Sequence, residues 1–445
     1  MREADREGRR PWEAGRASEF TPSPEGQRDS IVGSAPIASN GSAASSEPFG
    51  KAAAGITVDI AYKCLNKSGE ELCGDKVEVL HTSDSHILIL ADGMGSGVKA
   101  NILATMTSKI LGTMFLRGIA LEECVETIAE TLPICRVRQM AYATFSILQV
   151  YDNGSAYLVE FDNPACIFIR NGRLEGLHRE YRQIEDRQVG EAHFSVQKGD
   201  VFLLISDGAI NAGAGDLLNF GWTWDSVAEF ALRESRKTAT AMHLAAEVSQ
   251  ACNDLYQNHP GDDTTAAVLR IGERHAVHLM TGPAKEKTAD EAMVRAFLED
   301  ETALKIVCGG TSAAVVSRVL DKPLDMSINY VDSDVPPISY IEGIDLVTEG
   351  VVTMNRAMRL LEWYTRDEEV DERFFDELEQ PNGAAMLAQL LIEHCTELHL
   401  FVGEAVNEMY QNTDLPFQLG VRQKLVDQLV EVMKRMGKQV TVRYY

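Results

Sequence analysis

The sequence predicts an α+β fold, a strand-rich domain followed by a smaller α/β domain. Two observations carry this. Between residues 56 and 272, short apolar runs of strand length recur between turns and are broken by stretches of helical period. Beyond residue 285 the pattern becomes helix alternating with strand, as in a small α/β layer.

The chain has 445 residues, enough for two or three domains at about 150 residues each. Hydrophobic residues are 45% and charged residues 24%, so most of the chain can bury a core. Lys plus Arg is 42 against 67 Asp plus Glu, a net charge of −25. Such a balance argues against nucleic acid or an anionic membrane surface as partner and suits a protein that gathers divalent cations. Eight cysteines are present and none forms a C-x-x-C pair, which speaks against a zinc ribbon or a thioredoxin-type site. With no signal peptide they read as reduced thiols of a cytoplasmic protein.

Residues 1–52 are rich in Gly, Ser, Pro, Ala, Arg and Glu. They cannot bury enough apolar surface to offset their ordering entropy, and are expected to be a disordered extension. A first domain is expected over 53–275. Ile56–Tyr62 alternates as a strand, Asn66–Gly69 is a turn, and Lys76–Leu80 and Ile87–Ala91 are further strands. A long helix follows, with Val98, Ile102, Leu103, Met106, Ile110, Leu111, Met114 and Phe115 at helical spacing. A helix is expected over Leu121–Thr131, then strands Ala143–Tyr151, Ser155–Phe161, Cys166–Arg170 and Val201–Ile205. Residues 209–258 read as mostly helical, and a final strand runs to Ile271.

A second domain is expected over 285–445. Its elements are a helix, strand Lys305–Val307, helix Ala313–Leu320, helices near 351–364 and 384–396, strand Leu398–Val402, a helix near 420–436 and strand Gln439–Tyr444. Acidic Arg366–Glu379 reads as a solvated helix or loop, and Pro336-Pro337 and Asn412–Pro416 as ordered loops. Cys308–Ser312 reads as a tight strand-to-helix turn rather than an anion cradle. His275 and His278, just past a strand, read as solvent-facing imidazoles rather than metal ligands.

Four aspartates stand at or near strand ends beside glycines: Asp75, Asp92, Asp207 and Asp262. Glycine permits a tight turn and lets a backbone carbonyl approach an ion. Carboxylates without His or Cys partners make oxygen sites suited to Mg²⁺ or Mn²⁺. Two such ions sharing a carboxylate can activate a water for attack on phosphorus and neutralise the phosphoryl oxygens. Taken singly, each Asp-Gly pair reads as a turn rather than a site.

The ordered strings Ala91-Asp-Gly-Met-Gly-Ser-Gly97, Leu204-Ile-Ser-Asp-Gly208 and Gly261-Asp-Asp-Thr-Thr265 resemble the SpoIIE-type branch of the PPM (PP2C-like) metal-dependent serine/threonine protein phosphatases. The resemblance covers about residues 56–272 and implies a β-sandwich flanked by helical layers with a two-metal site at one end. It implies that Asp92 bridges two Mn²⁺ or Mg²⁺ ions. The Gly93 carbonyl and Asp75 would serve one ion, Asp207 and Asp262 the other, and Asp263 a metal-bound water. The implied reaction is hydrolysis of phosphoserine or phosphothreonine without a phosphoenzyme, catalysed through Asp92, Asp207 and Asp262. The implied partner is a regulatory phosphoprotein in bacterial signalling, and a homodimer is compatible with it. Ser96 and Gly97 open the long helix, where capping is favoured over anion binding.

The chain departs from the family pattern at three places. One glycine, not two, precedes Asp75. Asn163-Pro164-Ala165 replaces a Gly-x-Pro-Pro turn, and Ala-Ile-Asn follows Ser206-Asp-Gly208. The first strand offers no arginine for a substrate phosphate, Lys63 being the nearest cation. The C-terminal domain carries no recognised activity, and docking or regulation is the expectation for it. Two rivals stand beside this reading. One is an inactive PPM-like scaffold that binds a phosphoprotein and signals through the C-terminal domain, disfavoured because every expected carboxylate is present. The other is a GHKL-type nucleotide site at Asp92–Gly97, which lacks the Asn-containing helix motif. No Cys-x5-Arg or complete P-loop exists.

Overall fold

The apolar run Ile87–Ala91 is buried throughout, with every side chain at 0% exposure. A strand covered on both faces loses the polar alternation of a half-solvated one, and this strand lies at the centre of a layered sandwich. The computed structural model describes residues 56–119, 123–124, 127, 143–184, 187–215, 217–273, 275–326, 335–366, 370–405 and 417–445. The extension 1–52, most of the expected helix Leu121–Thr131 and the Asn412–Pro416 loop lie outside them.

The strands of the first part are β1 (Ile56–Leu65), β2 (Asp75–His81), β3 (Ser85–Gly93), β4 (Ala143–Tyr151), β5 (Ser155–Phe161) and β6 (Ile167–Arg170). They continue with β7 (Arg173–Glu175), β8 (Glu180–Ile184), β9 (Arg187–Ser195), β10 (Val201–Ile205) and β11 (Thr264–Glu273). The helices are α1 (Gly97–Leu116), the single turn α2 (Asp207–Ile210), α3 (Trp224–Glu234) and α4 (Ala241–Leu255). One sheet has the order β1-β11-β10-β6-β7 and the other β2-β3-β4-β5-β9-β8, both antiparallel.

Between the sheets Leu88, Leu90 and Leu148 meet Phe202, Leu204 and Leu269. On the outer face Ile87, Ile89 and Phe145 pack with Ala104 and Leu111 of α1. Full burial of one such side chain contributes about 1.5–3 kcal/mol. The order of layers is therefore helix, sheet, sheet, helix, with α4 lying on β1 and β11.

Helix α1 corrects one expectation. Its buried face is made of small residues, Ala100, Ala104, Thr107, Ser108 and Gly112, with Leu111. A Cβ on Gly112 would lie 2.7 Å from Leu80 Cδ1, so the helix needs that small stripe to approach the sheet. Val98 and Ile102, expected on the core face, are 58% and 48% exposed. Strands β7, β8 and β9 were not expected, because charged residues hide their apolar alternation.

The C-terminal part contains β12 (Ala276–Thr281), α5 (Asp290–Leu298), β13 (Leu304–Cys308), α6 (Gly310–Leu320), β14 (Asp325–Met326), β15 (Ser339–Tyr340) and β16 (Leu346–Thr348). It continues with α7 (Val351–Tyr364), α8 (Glu372–Leu378), α9 (Gly383–Glu393), β17 (Glu397–Val402), α10 (Phe417–Arg435) and β18 (Gln439–Tyr444). Its sheet has the order β14-β15-β16-β13-β12-β17-β18, and β16, β13, β12, β17 and β18 run parallel.

Two expectations fail here. His278 is not solvent-facing. It lies on β12, the middle strand of the parallel run, 6% exposed, with Nδ1 2.7 Å from the Phe297 carbonyl. The alternation Val277, His278, Leu279 places it under α5. The segment Arg366–Glu379 is not a solvated stretch either: α8 buries Phe374, Phe375 and Leu378. Three apolar side chains on one face anchor it despite four acidic residues in Glu372–Glu379.

Candidate active site

Asp75 opens β2 and Asp92 precedes the last residue of β3, and the ladder sets their Cα atoms opposite each other. On the other sheet Asp207 comes two residues after β10, and Asp262 and Asp263 sit just before β11, the strand that pairs β10. Adjacent chain ends join these loops: the Ser206 amide donates to the Thr265 carbonyl at 3.2 Å and the Gly93 amide to the Gly74 carbonyl at 3.2 Å. One end of the sandwich thus collects five carboxylates from four chain segments.

The glycine after each strand-end aspartate has a steric cause. A Cβ on Gly93 would stand 2.0 Å from the Ala100 carbonyl oxygen of α1. One on Gly208 would stand 2.1 Å from the Asp263 carbonyl oxygen. Backbone meets backbone at both positions, so no side-chain movement relieves the clash. A Cβ on Gly74 would press to 2.7 Å from Asp263 Oδ2, which places the Asp75 loop against the Asp263 carboxylate.

The site grades from floor to mouth. Asp75 and Asp263 are 3% and 5% exposed, Asp92 is half-buried and Asp207 is exposed. Burial pushes the Asp92 carboxyl up to about 9, and the charges of Asp75, Asp207, Asp262 and Asp263 add to the rise. Burial likewise pushes Asp75 up to about 7. The nearby hydroxyls of Thr265 and Ser206 pull against that rise without reaching hydrogen-bond geometry. The Thr265 hydroxyl donates instead to Cys64 Sγ, and Ser206 Oγ accepts from the Thr265 amide. Asp207 is exposed as a whole residue, yet partial desolvation of its carboxyl raises it too, and the charge of Asp262 adds to the rise.

Both carboxylate oxygens of Asp75 and Oδ2 of Asp263 are buried with no hydrogen-bond partner. Orphaned buried carboxylate oxygens are costly unless a cation takes them up. An all-oxygen donor set fits a hard divalent ion. Among the described residues no three His, Cys, Asp or Glu side chains form a ready-made group around one ion. The residues therefore fit divalent ions by donor chemistry and by the orphaned oxygens of Asp75 and Asp263.

Several residues that sequence reading passed over hold this arrangement. Lys67 donates its amide to Asp263 Oδ1 at 3.0 Å, and its ammonium lies 3.5 Å from Asp262 Oδ1. Lys67 is thus a cation paired with the cluster, and Lys63 lies within β1, opposite Ala266. The signal lay in Asn66-Lys-Ser-Gly69, read only as a turn. Asn101 of α1 donates to the Cys73 carbonyl at 2.8 Å, and the Tyr256 hydroxyl donates to the Gly208 carbonyl at 2.8 Å. Asn163 contacts Thr144 and Ser146 of β4, and Thr144 lies opposite Asp92.

Ser96 precedes α1 but makes no side-chain cap. Its hydroxyl donates to Glu70 Oε1 at 3.0 Å, and a Cβ on Gly97 would overlap the Glu70 carboxylate. The chain's own carboxylate thus occupies that helix start. At Cys308–Ser312 the tight turn is what the structure contains: Gly309 has φ +114, and Ser312 Oγ accepts from the Gly282 amide at 2.7 Å.

Residues 82–272 match the family model described as Stage II sporulation protein E (SpoIIE). No curated protein matches the chain. Among solved structures, the PP2C phosphatase domain with a regulatory fragment of SpoIIE from Bacillus subtilis is 18% identical. That match covers 49% of this chain and 63% of the other, with a TM-score of 0.42, so this chain spans less than two thirds of that relative. The RsbU and RsbW domains of a Mycobacterium tuberculosis protein are 17% identical over 56% of this chain and 71% of that one, TM-score 0.42. RsbX in complex with magnesium is 18% identical over 48% and 96%, TM-score 0.35.

Proposed function

Taking residues 82–272 as a SpoIIE-type domain of the PPM phosphatases, we propose that this protein hydrolyses phosphoserine or phosphothreonine in a phosphoprotein with the help of two Mn²⁺ or Mg²⁺ ions. The observation that carries the reading is the convergence of Asp75, Asp92, Asp207, Asp262 and Asp263 from both sheets, with buried oxygens left unpartnered.

Asp92, Asp75 and the Gly93 carbonyl would hold one ion, and Asp92, Asp207 and Asp262 the other. When bound, such ions supply charge neutralisation and an acidified water. The chain's own residues do the rest. The Gly93 and Gly208 contacts fix the two loops against α1 and the Asp263 backbone. Asp263 is oriented by the Lys67 amide. The exposed Asp207 leaves the mouth open to a macromolecular substrate. None of the eight cysteines stands before the arginine that a cysteine-phosphatase loop needs.

The test is hydrolysis of p-nitrophenyl phosphate by the full chain with Mn²⁺. Asp92→Ala or Asp207→Ala is expected to remove turnover while the far-ultraviolet circular dichroism stays native. Full activity of either variant at saturating Mn²⁺, or turnover that EDTA leaves intact, contradicts the assignment. The rival reading is an inactive PPM-like scaffold that binds a phosphoprotein. Metal binding without turnover in the native chain decides for it.

A further inference from the structure

The β1–β2 loop, residues 66–74, is fastened across the acidic site from both sides. On one side the Ser68 amide donates to the Pro260 carbonyl at 2.8 Å and the Lys67 amide to Asp263 Oδ1 at 3.0 Å. On the other, Glu70 receives the Ser96 hydroxyl at the start of α1, four residues past Asp92. The loop is closed on itself by the Glu70 amide to the Lys67 carbonyl at 3.0 Å and by Asn66 Nδ2 to the Glu71 carbonyl at 3.3 Å. Gly69, at φ +89, supplies the left-handed turn this closure needs.

A strap tied at both ends fixes the backbone of Lys67 while its side chain stays at the mouth. The Lys67 side chain is 36% exposed and that of Asp262 is 40% exposed. At 3.5 Å and this exposure the ion pair is a weak one, so moving the ammonium to another anion costs little. A phosphomonoester dianion entering a cluster of five carboxylates needs positive charge at the rim as well as on the floor. The geometry points to Lys67 as the residue that holds the substrate's phosphoryl oxygens, with its ammonium exchanged from Asp262 to the incoming phosphate. This rests on the phosphatase reading above and extends it to a substrate-binding residue.

The experiment uses the full Mn²⁺-loaded chain, p-nitrophenyl phosphate as substrate and inorganic phosphate as binding probe. Loss of one charge-assisted hydrogen bond is expected to raise KM and the inhibition constant of phosphate about tenfold in Lys67→Met. Turnover number should change far less. Lys67→Arg, which keeps the charge, should restore both constants to within about threefold of the native chain. Mn²⁺ affinity by calorimetry should be unchanged or tighter in Lys67→Met, since a competing cation has gone. Constants for Lys67→Met that stay within about twofold of native would overturn the assignment. So would a large loss of Mn²⁺ affinity, which would make Lys67 a support of Asp262 alone. Phosphate calorimetry separates this inference from the reading beneath it. Lys67-dependent phosphate binding by a native chain without turnover removes the phosphatase and keeps the site. Phosphate binding that is absent from the native chain, or independent of Lys67, removes the site.

Discussion

Asp75 and Asp92 face each other across the β2–β3 ladder, and both are driven toward the neutral form by burial and by their acidic neighbours. A buried and a half-buried carboxylate in register are a liability to the fold unless a cation comes between them. Removing one charge should therefore stabilise the metal-free protein. Asp75→Asn is expected to raise the melting temperature in EDTA by about 2–4 °C and to erase the further rise that Mn²⁺ gives the native chain. A variant that melts lower in EDTA than the native chain contradicts this.

The pH dependence follows with a definite sign. The folded chain keeps protons on Asp75 and Asp92 up to about 7 and about 9, whereas the unfolded chain releases them near pH 3.9. Between those limits the folded state binds more protons, so stability falls as pH rises. In EDTA the melting temperature should decline from pH 5 through pH 9, and the double variant Asp75→Asn, Asp92→Asn should decline less. Calorimetric scans across that range check it, and parallel profiles for native and double variant sink it.

Much of the fold was legible because burial left clear patterns. Ala143–Tyr151, Ser155–Phe161, Val201–Ile205 and Gln439–Tyr444 coincide with their strands, since both-face burial or strict alternation shows in single sequences. Strand β12 was missed because His278 reads as polar, yet its imidazole is satisfied by a backbone carbonyl. The burial of helix α8 was missed because its three apolar anchors sit among acids. At the site, the aspartates were legible as residue types beside glycines. Lys67 and Glu70 were not, because their roles depend on partners 195 and 26 residues away.

The glycines at the site permit a harsher test. Gly93→Ala places a methyl 2.0 Å from the Ala100 carbonyl, a clash only backbone displacement can relieve. The cost should be about 1–3 kcal/mol, read by urea unfolding, together with weaker Mn²⁺ binding as Asp92 shifts. Gly95→Ala is the control for the residue type: its Cβ meets nothing within 4 Å, although φ +108 strains it. Equal Mn²⁺ affinity in Gly93→Ala and the native chain would show that the α1 contact does not position Asp92.

One stacked pair joins the sandwich to the C-terminal part. The His243 ring of α4 lies 3.7 Å from that of Phe375 on α8, inclined by 7°. Helix α8 has seven residues, too few to stand alone in water, so tertiary contacts must hold it. Phe375 is 6% exposed, and its truncation removes both the stack and a buried ring, a loss of about 3–5 kcal/mol. In Phe375→Ala the amides of α8 should exchange hydrogen faster, whereas those of β3, buried at the sandwich centre, should keep their native protection. Hydrolysis of p-nitrophenyl phosphate should persist, because Phe375 is not among the residues that carry or position the carboxylates of the site. Unchanged exchange in α8 would mean that Phe374 and Leu378 suffice to hold it and that the stack contributes nothing to the tie.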